Sequence, residues 1–287
     1  MKEDESMPFQ NEVVTYDTRN MTYAELVRKI PRRLYKYQDI NLNALDGLRN
    51  HTLWFSSPRL FNDPFDCNVS CFLGRNKRDF EERLEAFFSR DKSIASLFGK
   101  STAGWRAKNQ ALMEIIRYFY RSKIHICCLS DTCDSVLMWS HYANEHKGMC
   151  LVFNSHKAGL IRNNVVPVQY YGCYPSNLVD ARRIDTLASL VKQLLAAKSS
   201  DWSYEREWRA FMVNNNSGDA DEMKGALYKY DPSLLSGVVL GINTKSSDIE
   251  QVKLAIAKGK FPRRINLYKA RENKDSFSIA VRKIGSV

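Results

Sequence analysis

Three aromatics, two acids and two arginines fall within the run Trp202-Ser203-Tyr204-Glu205-Arg206-Glu207-Trp208-Arg209, which continues into the apolar Ala210-Phe211-Met212-Val213. Such a run brings two carboxylates and two guanidinium groups within reach of one another or of a polar ligand. Taken as a strand, its period of two puts Glu205, Glu207 and Arg209 on one face and Arg206, Trp208 and Ala210 on the other. Like charges that close oppose each other's ionisation unless cations or a polar ligand balance them. Two readings follow: the lip of a site, or an exposed strand whose Glu and Arg pair across the sheet.

Two other stretches carry polar groups that a site needs. The loop Ser57-Pro58-Arg59-Leu60-Phe61-Asn62-Asp63-Pro64-Phe65-Asp66 is dense in turn formers. Asn62 and Asp63 can tie up backbone donors there, while Phe61 and Phe65 can anchor the turn to a core. A rigid polar loop beside a strand end is a site wall or a plain structural turn. Further on, a buried strand at 124–129 ends in Ser130-Asp131-Thr132, and Asp134 or Ser135 can start a helix over 136–143 that stops at Gly148. That unit holds His141, Tyr142 and His146 close together. Cys133, His141 and His146 match no standard zinc spacing and no CxxC pair is present, so capping and packing are expected of the histidines and no metal is expected.

The remaining elements must position these groups. Residues 1–30 read as a lead-in with a short helix over 22–30 stopped by Pro31, and 31–287 as a single domain. In Arg33-Leu34-Tyr35-Lys36-Tyr37 a strand puts Tyr35 and Tyr37 on one face and Leu34 and Lys36 on the other. Asn41 caps a helix over 42–49 with Leu42, Leu45 and Leu48 on its apolar side, and a strand follows at 53–56. Charged and apolar residues alternate at helical spacing over 77–121, giving two helices in an insertion. Strands are expected at 149–153, 165–170, 226–230, 236–240, 264–269 and 276–284, with helices over 178–198 and 247–257. The order gives an α+β fold, with a mixed, largely antiparallel central sheet and a helical insertion.

No apolar run approaches the roughly 18 residues that cross a bilayer, and the polar, acidic start is unlike a signal sequence, so a cytoplasmic protein without a membrane partner is expected. Seven cysteines, an odd number lying mostly in apolar stretches, fit reduced packed thiols. A net charge of +11 spread without a basic tail favours polyanions, a nucleotide-like small molecule or nucleic acid among them.

Taken together, Leu34 to Tyr37, Trp54 to Pro58, Phe61 to Asp66, Cys128 to Ser130, Met138 to Ala143, His146 to Gly148, Trp202 to Arg209 and Val239 to Gly241 resemble, in order, the bacterial domain-of-unknown-function family 2971. That family brings no reaction with it. The layout is more distantly similar to the ADP-ribosyltransferase superfamily, with its split sheet. That likeness implies a toxin or phage-defence effector using NAD as co-substrate. It places Lys36, where the superfamily has His or Arg, and Ser130 or Tyr142 at NAD. Glu207 then meets the ribose and Glu205 orients the acceptor. Arg209, Lys36 or Lys147 would neutralise the diphosphate, and Tyr35, Tyr37 or Trp139 would stack on a ring. Two further classes fit the same residues: a nucleotide-directed hydrolase using Glu207, Asp63 and His141, and a non-catalytic nucleotide or nucleic-acid sensing module.

Overall fold

The computed structural model describes residues 25, 28–68, 123–173, 195–214 and 224–287. The insertion expected at 77–121 lies outside them, as does most of the lead-in, of which Glu25, Arg28 and Lys29 are helical.

Alternation decides the first strand. In β1 (Arg33–Gln38) Leu34 enters one apolar core, while Tyr35 and Tyr37 enter a second core on the opposite face. Asn41 then caps α1 (Leu42–Asn50) by accepting the Ala44 N–H. Leu45 and Leu48 turn inward, but Leu42 does not join them: at the first helical position it is 75% exposed, and burial begins one turn later.

The chain continues through β2 (Thr52–Ser56), β3 (Ile124–Ser130), α2 (Val136–Tyr142), β4 (Met149–Asn154), β5 (Val165–Pro167), β6 (Gln169–Tyr171), β7 (Ala197–Ser199) and β8 (Glu207–Val213). It ends with β9 (Gly225–Lys229), β10 (Leu235–Leu240), α3 (Ser246–Gly259), β11 (Asn266–Glu272) and β12 (Ile279–Ser286). Among the described residues ten strands form one sheet in the order β12-β11-β10-β4-β1-β3-β2-β9, with β8 beside β3 and β5 beside β8. The β10–β11 pair, joined through α3, is parallel, and the other pairs of this sheet are antiparallel. This is an α+β fold with a mixed, mostly antiparallel sheet. Leu45 and Leu48 of α1 and Val252, Ala255 and Ile256 of α3 pack into one core, and Met138 and Trp139 of α2 into the other. Among the described residues no helix is long and apolar enough to cross a membrane.

Two expected elements change. The single strand at 165–170 is divided between sheets, because the Val168 N–H donates to Glu207 O whereas the next one, Gln169 N–H, donates to Ala196 O. β6 therefore pairs with β7 in a small parallel sheet of its own. The helix expected over 178–198 lies mostly outside the described residues, and its last two positions, Ala197 and Lys198, belong to β7.

One departure from regular pairing matters most for the site. β1 runs with β4 from Arg33↔Asn154 to Gln38↔Met149, yet it meets β3 at Tyr35↔Ser130. β3 instead follows β8 along its length and touches β2 at Ser56↔Ile126. The two central strands part and leave a wedge between them.

The link from α2 to β4 is a left-handed turn. Asn144, Glu145 and His146 have φ of 46°, 52° and 66°, a region that costs a side-chain-bearing residue roughly 1–2 kcal/mol. The Glu145 and His146 N–H groups donate to Ser140 O and Trp139 O, and the His146 ring meets Ser140 Oγ, which holds the turn. Gly148 closes it in contact with β1: a Cβ there would lie 2.4 Å from Gln38 O and 2.8 Å from Ala143 O. Gly148→Ala is therefore expected to lower stability by about 1–3 kcal/mol. Thermal melts followed by circular dichroism check this, and an unchanged midpoint would contradict the close approach.

Candidate active site

A cleft of about 400 Å³ opens where β1 and β3 part. Tyr35, Lys36 and Tyr37 of β1 line it, with Trp54 and Ser56 of β2, Phe61, Asn62 and Asp66 of the following loop, and Cys128 and Ser130 of β3. Tyr142, Lys198, Glu205 and Glu207 complete its wall. Residues distant in sequence and named above for their chemistry thus meet in one cavity: Tyr35, Lys36, Tyr37, Asn62, Ser130, Tyr142, Glu205 and Glu207.

The acid-rich run is not one continuous strand. Ser200–Glu205 form a 3-10 helix, Arg206 steps through the left-handed region at φ 47°, and only then does β8 begin. Local bonds explain the step. The Arg206 N–H donates to Ser203 O, the Asp131 N–H donates to Arg206 O, and Arg206 Nε meets Asp131 Oδ1 at 2.5 Å. Ser130 Oγ donates to Glu205 O at 2.7 Å, so the end of β3 positions the backbone that carries Glu205. Despite the turn, Glu205, Glu207 and Arg209 still gather on one side, because a common set of partners holds them.

Lys198 is the hub of that set. Its Nζ lies 2.5 Å from Glu205 Oε2, 3.2 Å from Glu207 Oε2 and 3.4 Å from Asp66 Oδ2, and all four side chains are buried. Arg209, fully buried, donates from Nε to Glu207 Oε1 at 2.8 Å and from Nη2 to Glu207 Oε2 at 3.0 Å. Its fork also grips Asp66, with Nη1 to Oδ1 at 2.8 Å and Nη2 to Oδ2 at 2.6 Å. Aromatic faces cover both cations: Phe61 lies 5.3 Å from the Arg209 guanidinium and Trp202 lies 5.0 Å from Lys198 Nζ. Tyr142 donates its hydroxyl to Glu205 Oε1 at 2.6 Å.

The two glutamates are driven apart in acidity. Burial opposes ionisation of Glu207, but Arg209 and then Lys198 outweigh it and hold its pKa well below the usual carboxylate range. At Glu205, burial and then the charge of Glu207 push the pKa up to about 7 against the pull of Lys198. One acid is held ionised while its neighbour is poised to exchange a proton near neutrality.

The pH dependence follows from those directions. Between the ordinary value of 4.5 and about 7, folded Glu205 keeps a proton that the unfolded chain has released. Its contribution to stability is therefore full below 4.5 and is lost as pH rises through about 7. Glu207 has the opposite sign: its contribution is present above 4.5 and lost as pH falls towards its depressed value. Urea midpoints measured from about pH 5 to 8 are expected to decline less steeply in Glu205→Gln than in the parent. Identical slopes would remove Glu205 from this role.

Other expected positions lie outside the cleft or are engaged by protein partners. Arg209 is committed to Glu207 and Asp66 behind the cleft rather than open to a diphosphate. Lys147 pairs with Glu145 at 2.7 Å. Lys36 lines the cleft but donates to Cys128 O at 3.1 Å. Trp139 is fully buried, donating from Nε1 to Cys133 O and standing edge-on to Tyr37, so it stacks within the core and not on a ligand. His141 is exposed beside the site with Nδ1 3.0 Å from Tyr204 Oη. Asp63 is a turn residue, accepting the Phe65 N–H at 2.8 Å, and this turn delivers Asp66 to Arg209. Phe61 covers Arg209, but Phe65 is 61% exposed and anchors nothing in the core.

Lys198 and Asp66 escaped the sequence-based choice of site residues. Asp66 closes the turn-rich loop and was readable as part of it. Lys198 has no local mark, since its partners lie in the run that opens with Trp202 and in the loop ending at Asp66.

Fold and site together define an α+β protein with a buried, ion-paired carboxylate pair at the floor of a cleft in a parted sheet. Residues 138–210 match the family model described as protein of unknown function (DUF2971), and to that family this stretch is similar. The matched stretch contains Tyr142, Lys198, Glu205, Glu207 and Arg209. No curated protein and no solved structure matches the chain.

Proposed function

We propose that the chain is an ADP-ribosyltransferase-like enzyme that breaks the nicotinamide–ribose bond of NAD and passes ADP-ribose to an acceptor. The observation that supports this reading is the pair of carboxylates on one lysine, with Glu207 held ionised and Glu205 raised to about 7. As the bond to the pyridinium nitrogen breaks, its electron pair goes to nicotinamide and positive charge develops on the sugar. Ionised Glu207 stabilises that charge, as carboxylates do in glycoside hydrolysis. Glu205, steadied by Tyr142, accepts the proton that the acceptor releases as it attacks the sugar carbon. Fit to NAD rests on the exposed Trp54 ring that lines the cleft and on a volume within the range of small-molecule sites.

Purified protein incubated with NAD labelled in the adenylate half is expected to release nicotinamide and to label an acceptor in a cell extract. If neither product exceeds the rate without enzyme, NAD is not the substrate.

A further inference from the structure

The surplus of positive charge is unevenly placed along the chain. Residues 258–282 hold eight lysines and arginines against two acids, Glu272 and Asp275. β11 and β12 arrange part of that charge. Lys269 stands directly opposite Arg282 in their antiparallel register, and Arg271 follows Lys269 on the same side of β11, about 7 Å along the strand. Tyr268, Ala270, Ile279 and Val281 enter a core on the other face, so the three cations share a face from which Glu272 points away. Like charges set opposite each other destabilise a strand pair. Among the described residues no carboxylate comes within ion-pair reach of these three, and the acid Glu250 of the neighbouring α3 is paired with Lys253. Lys269 is held below its usual pKa by burial and then by the charge of Arg271. The hairpin between the strands adds an aromatic ring. Asn273 and Ser278 bond through backbone and side chain, Asn273 Oδ1 accepts the Asp275 N–H, and the Ser276 and Ser278 hydroxyls meet. The turn spends these polar groups on itself, and Phe277 projects from it fully exposed.

We propose that this face of the β11–β12 hairpin binds single-stranded nucleic acid, with Lys269, Arg271 and Arg282 on the phosphates and Phe277 against an unpaired base. Guanidinium forks match phosphate oxygens, and an exposed ring stacks on any base. Duplex fits less well, because β11 is flanked by β10 and the other face of the hairpin is buried, so the two strands cannot enter a groove as a free ribbon. A lipid surface also fits less well: Phe277 stands among Lys274, Asp275, Ser276 and Ser278, without the apolar face that an interfacial element immerses. Arg263 and Arg264, exposed just before β11, extend the positive track past its other end. None of these residues lines the cleft, so the surface does not depend on NAD being cleaved.

Fluorescence anisotropy with a labelled oligothymidylate of about 16 nucleotides, repeated between about 50 and 200 mM salt, tests it. The parent is expected to bind, with affinity falling as salt rises. Arg271→Ala/Arg282→Ala, at two exposed positions, is expected to weaken binding by about tenfold or more and to flatten the logarithmic salt slope by about 1.4, two phosphate contacts at about 0.7 each. Phe277→Ala is expected to weaken binding by about fivefold or more and to leave the slope unchanged. A parent that does not bind, or that binds no more tightly than the double variant, overturns the surface. Tighter binding of a duplex of the same length overturns the preference for single strands, and binding to phosphatidylserine vesicles without binding to the oligonucleotide replaces nucleic acid by a membrane. Melting curves of each variant confirm that it is folded.

Discussion

Replacing Arg209 with methionine is expected to destabilise the fold by about 3–5 kcal/mol, the usual consequence of deleting one member of a buried ion network. The residue is fully buried and donates to Glu207, Asp66 and Leu195 O, so the substitution leaves two carboxylates without their fork and the Leu195 carbonyl with the weaker Cys67 thiol as donor. Methionine approximates the volume, which confines the effect to charge and hydrogen bonding. Lost attraction is the smaller part, because pairing in a buried cluster largely offsets the desolvation of its members. The larger part is the exposure of Glu207 and Asp66 to an apolar surrounding with Lys198 as their remaining cation. Urea unfolding of the parent and variant checks the figure, and a loss below about 1 kcal/mol would show that the network contributes little. Adding Glu207→Leu to Arg209→Met is expected to recover part of the loss, since it removes one stranded charge.

Glu207→Gln is expected to lower nicotinamide release by about 10²–10³-fold, the range seen when one electrostatic stabiliser of a transition state is removed. Glutamine keeps the shape and a hydrogen-bonding oxygen but not the charge, so the effect should fall on kcat more than on KM. Glu205→Gln separates the second role. It is expected to cost less and to abolish the limb of the rate–pH profile near 7, which is where burial and Glu207 place that carboxyl. Melting curves distinguish loss of chemistry from loss of fold. Undiminished nicotinamide release by folded Glu207→Gln would make the carboxylate a purely structural partner of Arg209 and Lys198.

Local chemistry explains which parts could be read from the chain. Alternation at Leu34 to Tyr37 put the right residues on each face, and Asn41 and Ser135 cap helices as their side chains allow. Glu205, Glu207 and Arg209 were expected to share a side and do, but the reason differs: Arg206 breaks the pleat, and Lys198 draws the acids together across the break. Such a hub is invisible to periodicity because it depends on β7 being laid beside the 3-10 segment. Splitting of 165–170 between two sheets has a similar cause, since consecutive amides find acceptors on different elements. Membership of Trp139 in the core, rather than the cleft, goes with the hydrogen bond from its indole to the Cys133 carbonyl in the loop just before the helix, a contact that helical spacing does not reveal.

The parting of β1 from β3 also leaves a dynamic signature. Successive residues of a strand direct their backbone groups to alternate edges, and on β1 one edge is latched to β4 while the other faces the wedge. On the opposite wall, Lys36 Nζ takes the Cys128 carbonyl that a continuous ladder would have paired with main chain. Amide hydrogens of β1 should therefore exchange with solvent in a sawtooth, slow where they point to β4 and fast where they point into the cleft, with Tyr35 marking the contact to Ser130. A molecule seated in the wedge would flatten the sawtooth from one side only, so that deuterium uptake along a single strand reports occupancy without any turnover.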